Sequence, residues 1–275
     1  MLEPWVVVLR WAGVLLASVA GVLYVRNLTA QAPPAGRLPE RLVLAAVLCW
    51  TGALVVRGLE LSTVPLVSSL EALLFYAWLL LAVFLVLVRR EAHRTLGAIL
   101  VPLAALLGAF AAAFMAPPAP VSALFHNRYF ALHTVSLFLG YSALSVAFCA
   151  GVMYLLLFEE IAHKKMGRMF ARLPSLDDLD RLGHRTVLLG FALLTAGIAV
   201  GMVWAKTEWG VLWVWEPKSV WTLLSWAVYL GYLVTRNLAG WQGPRAAWLA
   251  TRGFALAAAT FVGTNVALGS GRHVF

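Results

Sequence analysis

Long apolar runs alternate with short polar punctuation along this chain, and several runs approach the roughly 20 residues an α-helix needs to cross about 30 Å of hydrocarbon. The pattern predicts an all-α bundle of about eight spanning helices, at about 5–25, 41–57, 71–88, 96–115, 130–157, 187–205, 217–235 and 247–268. Eight spans put both termini on one side. The stretch 159–185 is the one long polar interruption. Within it Ser175, followed by Asp177 and Asp178, has the form of a helix start with acidic residues at the positive dipole end. No internal repeat of the inverted-transporter kind is evident, so the chain reads as a single membrane domain over 1–275.

Composition agrees with this pattern. Of 275 residues 62% are hydrophobic and 12% charged, far from the balance of a water-soluble domain. The net charge of +9 raises the question of nucleic acid, and the positions of the basic residues answer it. The loops after spans 1, 3, 5 and 7 carry Arg26, Arg37, Arg41, Arg89, Arg90, Arg94, Lys164, Lys165, Arg168, Arg172, Arg181, Arg185, Arg236, Arg245 and Arg252. The opposite set carries Arg57, Arg128, Lys206, Lys218 and Arg272. Basic residues concentrate in cytoplasmic loops, so both termini are expected outside, 159–185 inside, and the partner is a lipid bilayer rather than nucleic acid. Arg10 falls early in span 1, where its stem is expected to snorkel to the outer interface. The first run lacks a preceding basic cluster and is read as a retained span. Cys49 and Cys149 lie far apart in apolar runs, which leaves no C-x-x-C for thiol exchange and no C-x-x-C-H for covalent haem.

Half of the twelve tryptophans fall in one outer stretch, 204–226: Trp204, Trp209, Trp213, Trp215, Trp221 and Trp226, in the run WAKTEWGVLWVWEPKSVWTLLSW. An aromatic belt spreads its indoles over many helix ends. Here they crowd into the connecting segment itself, with Gly210 among them. If that segment is helical, Trp209 and Trp213 share a face. Such a face suits a planar macrocycle, with Lys206 and Lys218 placed to pair with anionic groups at its edge; it equally suits an interfacial anchor, and the residues alone leave both readings open. Pro217 fits the first position of span 7, and Glu216 before it falls at the cap, where a shorter Asp does better.

The predicted topology sorts the six histidines into two sets. His93, His163 and His184 fall inside, while His126, His133 and His273 fall outside. His133, about one turn into span 5, and His273, just beyond span 8, come at the level of the tryptophans and form a candidate pair of axial ligands for haem iron. His126 is a weaker competitor, since it follows Pro117, Pro118 and Pro120 in a loop.

These residues resemble the haem-handling cytochrome c assembly proteins defined by a tryptophan-rich outer segment, and among them the membrane subunit of the system II cytochrome c synthase. The resemblance runs through PLVSSLEALLF at 65–75, LHTVSLFLGYSAL at 132–144, LDRLGHRTVLLGFALLTAGIAVGMVWA at 179–205, the tryptophan segment, and the terminal GSGRHVF. It implies haem b bound on the outer face of a bacterial inner membrane, with His133 and His273 as axial ligands and Trp209, Trp213, Trp215 and Trp221 cradling the ring. Around that core the candidate binding residues are Trp204, Gly210, Glu216, Pro217, Lys218 and Trp226. It also implies presentation of that haem to the C-x-x-C-H thiols of apocytochrome c, together with a second synthase subunit that has a large outer domain. The other functional readings are a haem chaperone or relay, a haem exporter, and a scaffold with an aromatic belt.

Two departures from the family pattern matter. Its W-x-W-D-P-K-E reads Trp213, Val214, Trp215, Glu216, Pro217, Lys218, Ser219, which keeps one acid and loses the other. The histidine that family members carry near the inner end of span 7 is matched by Val234, about 25 Å inward of Pro217 at helical rise. Valine cannot ligate iron, so the resemblance carries the outer site more securely than it carries haem export. His184 is a candidate substitute, although a helix-start histidine beside Arg185 accounts for it more simply.

Overall fold

Apolar runs of this length leave their backbone polar groups no partner in hydrocarbon but their own helix, and the chain obeys that constraint. The computed structural model describes residues 3–30, 36–115, 122–164, 167 and 171–266. Eight long helices occupy them: α1 (Glu3–Thr29), α2 (Leu38–Leu61), α3 (Ser69–Leu87), α4 (Gly97–Phe114), α5 (Arg128–Ala162), α6 (Leu176–Trp209), α7 (Pro217–Leu238) and α8 (Pro244–Val266). Short 3-10 turns at Glu91–Leu96 and Ala123–His126 lead into α4 and α5. No strand occurs among the described residues. Helices α1 to α6 are each long and apolar enough to cross a membrane. The protein is an all-α polytopic membrane protein.

The chain divides into two compact units, residues 1–126 with 171–174, and residues 127–170 with 175–275. In the first, Trp50 of α2 is fully buried, packs where Gly13 of α1 and Gly108 of α4 leave room, and donates its indole N–H to the Arg10 carbonyl at 3.1 Å. Arg10 is itself buried rather than snorkelling to an interface, because its turn of α1 packs against α2 through that bond. The α2–α3 turn is pinned by Glu71, only 2% exposed. Its carboxylate takes the Arg57 guanidinium at 2.7 Å and the Val67 and Ser68 backbone N–H groups, while the Ser68 hydroxyl accepts from Glu71 N–H. That is a capping box with an ion pair built into it.

In the second unit α5 is the axis. Gly140 of α5 lies against Gly190 of α6, where an added Cβ at Gly140 would come within 3.1 Å of the Gly190 carbonyl oxygen. Gly151 does the same on another face, toward Ala247 and Thr251 of α8. Such small-residue contacts let helix backbones approach closely enough for dispersion to hold them without a hydrophobic drive.

Helix α6 corrects one boundary. Ser175 caps it by accepting from Asp178 N–H at 3.1 Å, as the local chemistry predicts, but the same helix then continues unbroken for 34 residues, about 50 Å. The charged positions 177–185 therefore form the polar end of span 6 rather than a separate segment.

Helix α7 is amphipathic with its polar side turned inward. Ser225, Tyr229 and Tyr232 recur at intervals of four and three residues and are buried, while Leu223, Leu230 and Val234 are exposed. The two tyrosines pack with Leu144 and Ala147 of α5, Val187 of α6, and Ala246, Ala250 and Phe254 of α8. At the end of the stripe Arg236 makes a bidentate pair with Asp180 of α6, at 2.9 and 2.5 Å, and Asp180 also accepts from Gly243 N–H in the α7–α8 turn.

The Glu71 arrangement gives a stability prediction. Replacing Glu71 by Ala strands Arg57 and removes the cap, and should lower unfolding free energy in detergent by about 3 kcal/mol. Glu71→Gln keeps an acceptor for the Ser68 N–H and should lose less. Chemical denaturation followed by tryptophan fluorescence measures both.

Candidate functional site

The site grows from the paired ends of α5 and α6. Asn127 caps α5 by accepting from Tyr129 N–H at 2.9 Å, and its amide donates to Glu208 near the end of α6 at 2.5 Å. Those two bonds hold the helix ends in step, and six residues further along α5 His133 lies against α6. The His133 ring meets the Gly197 carbonyl at 2.8 Å through Nδ1. A carbonyl oxygen can only accept, so Nδ1 carries the hydrogen, and in the neutral ring Nε2 carries the lone pair.

Aromatic rings pack beside that imidazole. Trp204 lies 6.0 Å from the His133 ring, centroid to centroid, and contacts Phe130 at 5.3 Å and Trp209 at 5.1 Å. At 4% exposure Trp204 is a floor under the site rather than an open face.

Gly210 then ends α6. Its φ of +73° is the left-handed C-cap conformation, and the cap is closed by its own N–H on the Lys206 carbonyl and by the Lys206 ammonium on the Gly210 carbonyl at 2.9 Å. Residues 211–216 are not helical, so Trp209 and Trp213 do not share a helix face. Instead Trp213 and Trp215 form their own pair, 6.1 Å apart and nearly edge to face, with Trp215 77% exposed. The left-handed turn at Gly210 is the physical reason: it redirects the chain before the second pair.

Glu216 occupies the α7 cap and Pro217 its first turn, as expected, but Glu216 makes no side-chain capping bond. Its longer side chain is buried instead. Trp221 is half-buried at the start of the second turn of α7. Trp226 sits elsewhere: its indole donates at 2.9 Å to Thr195, nine residues and about 13 Å along α6 from Trp204, and stacks on Phe191. It braces α7 on α6. The Lys218 side chain and the whole of His273 lie outside the described residues. His126 is exposed in the 3-10 turn ahead of the Asn127 cap.

Toward the opposite end of α6 and α7, Val234 is 44% exposed, and the His184 ring lies 6.2 Å from Tyr232 beside the Asp180–Arg236 pair. Among the described residues no group of three or more His, Cys, Asp or Glu could hold a metal ion. The His133 imidazole, the buried Trp204 beneath it, and a half-buried Trp213 paired with an exposed Trp215 suit a planar macrocycle. Sequence reasoning missed Asn127, Glu208, Gly197 and Gly201; the G-x-x-x-G spacing of the two glycines was the available signal for the last pair.

Comparison with known proteins supplies the context. The profile of the family described as cytochrome C assembly protein matches residues 66–269. The cytochrome c biogenesis protein CcsA of Guillardia theta is 32% identical over 238 residues, covering 80% of this chain and 79% of its own. The protein of the same name from Synechococcus elongatus is 31% identical over 276 residues, covering 84% of each. Among solved structures, the cytochrome c haem lyase CcmF superposes with a TM-score of 0.62 over 93% of this chain at 19% identity; this chain spans 46% of its length. At that identity the likeness is one of fold.

Gly210 provides the test of local geometry. Gly210→Ala puts a Cβ into a left-handed turn and should lower stability by about 1–2 kcal/mol. Gly210→Asn, which tolerates that conformation, should lose less, and thermal unfolding in detergent ranks the two.

Proposed function

The chain belongs to the cytochrome c assembly protein family, and on that premise we propose that it is the haem-binding membrane subunit of a system II cytochrome c synthase. The observation that carries the reading is His133, whose Nδ1 hydrogen is committed to the Gly197 carbonyl while Nε2 bears the lone pair beside the tryptophans. That is the arrangement of a metal-ligating histidine whose second nitrogen is fixed by a backbone acceptor.

In this reading His133, through Nε2, and His273 are the residues that would hold the iron of haem b. Trp209, Trp213, Trp215 and Trp221 cover the ring and exclude water, Trp204 supports them from beneath, and Trp226 keeps α7 in register with α6. Gly210 turns the segment, and Glu216 and Pro217 set the start of α7. Lys218 pairs with a propionate; Lys206 contributes less, because its ammonium already closes the α6 cap. When bound, haem b supplies the two vinyl groups to which the thiols of a C-x-x-C-H apocytochrome c add. The protein's own part is positioning, which needs no nucleophile.

The platform faces outward from a bacterial inner membrane, with both termini on the same side. A second subunit with a large outer domain completes the synthase. Export of haem through this chain is the weaker alternative, since Val234 stands exposed at the position where an inner ligand is expected and has no donor atom. A relay that passes haem on without forming a bond uses the same site and differs only in the fate of the acceptor.

An absorption spectrum of the detergent-purified protein tests the proposal. Bound haem should give a low-spin spectrum that is lost in His133→Gly and in His273→Gly and regained in each with added imidazole. Protein that purifies without haem and cannot be loaded with it would sink the reading. Co-expression with an apocytochrome whose cysteines are intact, and with one whose cysteines are replaced, separates synthase from relay by whether haem stays attached after denaturation.

A further inference from the structure

The α5–α6 interface changes character at the site. Lower down, Gly140 and Gly190 meet backbone to backbone. At the site the facing residues are unequal: glycines on α6 oppose large side chains on α5. A Cβ at Gly197 would lie 2.7 Å from Leu137 Cδ2 and 3.2 Å from the Leu137 backbone nitrogen. A Cβ at Gly201 would lie 2.5 Å from His133 Nδ1 and 2.6 Å from its Cε1. The first glycine sets how near α5 comes; the second is hollowed out for the imidazole.

Helix geometry gives the second glycine a further consequence. Cα–Cβ bonds tilt toward the helix N-terminus, so a side chain overlies the turn before it. The residue that would shield the Gly197 carbonyl is therefore the one four positions later, Gly201. Without a Cβ there, the carbonyl oxygen keeps its helical bond and offers its second lone pair sideways, where His133 Nδ1 takes it at 2.8 Å. Trp204, one turn nearly on from Gly201, closes the same pocket against the ring.

We propose that Gly197 and Gly201 act as positioning residues for His133: Gly201 uncovers the Gly197 carbonyl, which locks the imidazole in its Nδ1–H tautomer and aims Nε2 at the ligand. This rests on the reading of His133 as an iron ligand for its purpose, but not for its geometry. An imidazole side chain free in water favours the opposite tautomer, so the lock does chemical as well as spatial work. Hydrogen bonding at Nδ1 makes Nε2 a stronger donor, which strengthens metal binding and favours the more highly charged state of bound iron. The pair thus tunes affinity and potential without touching the ligand.

The test has two arms. In haem-free full-length protein labelled with 15N-histidine, NMR should show His133 as the Nδ1–H tautomer at neutral pH; an Nε2–H tautomer in the unaltered protein would overturn the inference with no variant needed. In Gly201→Ala that signature should disappear, haem affinity should fall about ten- to a hundred-fold, and the midpoint potential of the remaining bound haem should rise. Met202→Ala, on the neighbouring position, should leave all three unchanged. A Gly201→Ala protein that folds, by circular dichroism, and keeps the tautomer, affinity and potential would also overturn it. If the unaltered protein shows the Nδ1–H tautomer yet cannot be loaded with haem, the haem reading fails while the glycine lock stands.

Discussion

How near two helices can come is decided by what their facing residues carry, and in the second unit everything about the site depends on the nearness of α5 and α6. Glycines at 140, 190, 197 and 201 remove the side chains that would otherwise keep the backbones apart. A carbonyl in the middle of a helix then comes within reach of a side chain from its neighbour. In hydrocarbon such a bond is retained because no water competes for either partner. The Asn127–Glu208 bond at the helix ends holds the register of α5 on α6 that makes this contact possible.

Polar groups in this protein are gathered accordingly. Glu71 and Arg57 fasten a turn in the first unit; Asp180, Arg236 and Gly243 fasten another in the second. Between such points the bundle relies on close packing, as at Trp50, whose indole fills the space that Gly13 and Gly108 leave. The tryptophan segment departs from this economy. Trp215 stands largely exposed, which packing alone does not call for.

Much of this was legible in the sequence, because hydrophobic run length and cap chemistry are local. Helices lie at the predicted runs, six of them long and apolar enough to cross a membrane, and Ser175, Glu216 and Pro217 take the end positions that their chemistry suggested. What escaped was non-local or carried no side-chain signature. The unbroken passage of α6 through 177–185 was hidden by charges that resemble a loop. Trp226 looked like one of a set until its partner, Thr195, proved to be 31 residues away. The acceptor for His133 is a backbone oxygen, which every residue possesses, and only the absence of a Cβ four residues later makes it usable. The split between Trp204 with Trp209 and Trp213 with Trp215 turns on one backbone angle at Gly210.

Helix α7 bears on how the chain enters the membrane in the first place. Presented alone to a translocation channel, it would show the lipid a stripe of serine and tyrosine hydroxyls ending in Arg236, and its average apolarity would give little reason to leave the channel sideways. Its partners for that stripe come from α5, α6 and α8. Two of them precede it in synthesis and one follows. The hydroxyl stripe of α7 is therefore covered only when α5, α6 and α8 are all in place around it. The tryptophan segment, tethered to the leading end of α7, takes its position from that same packing.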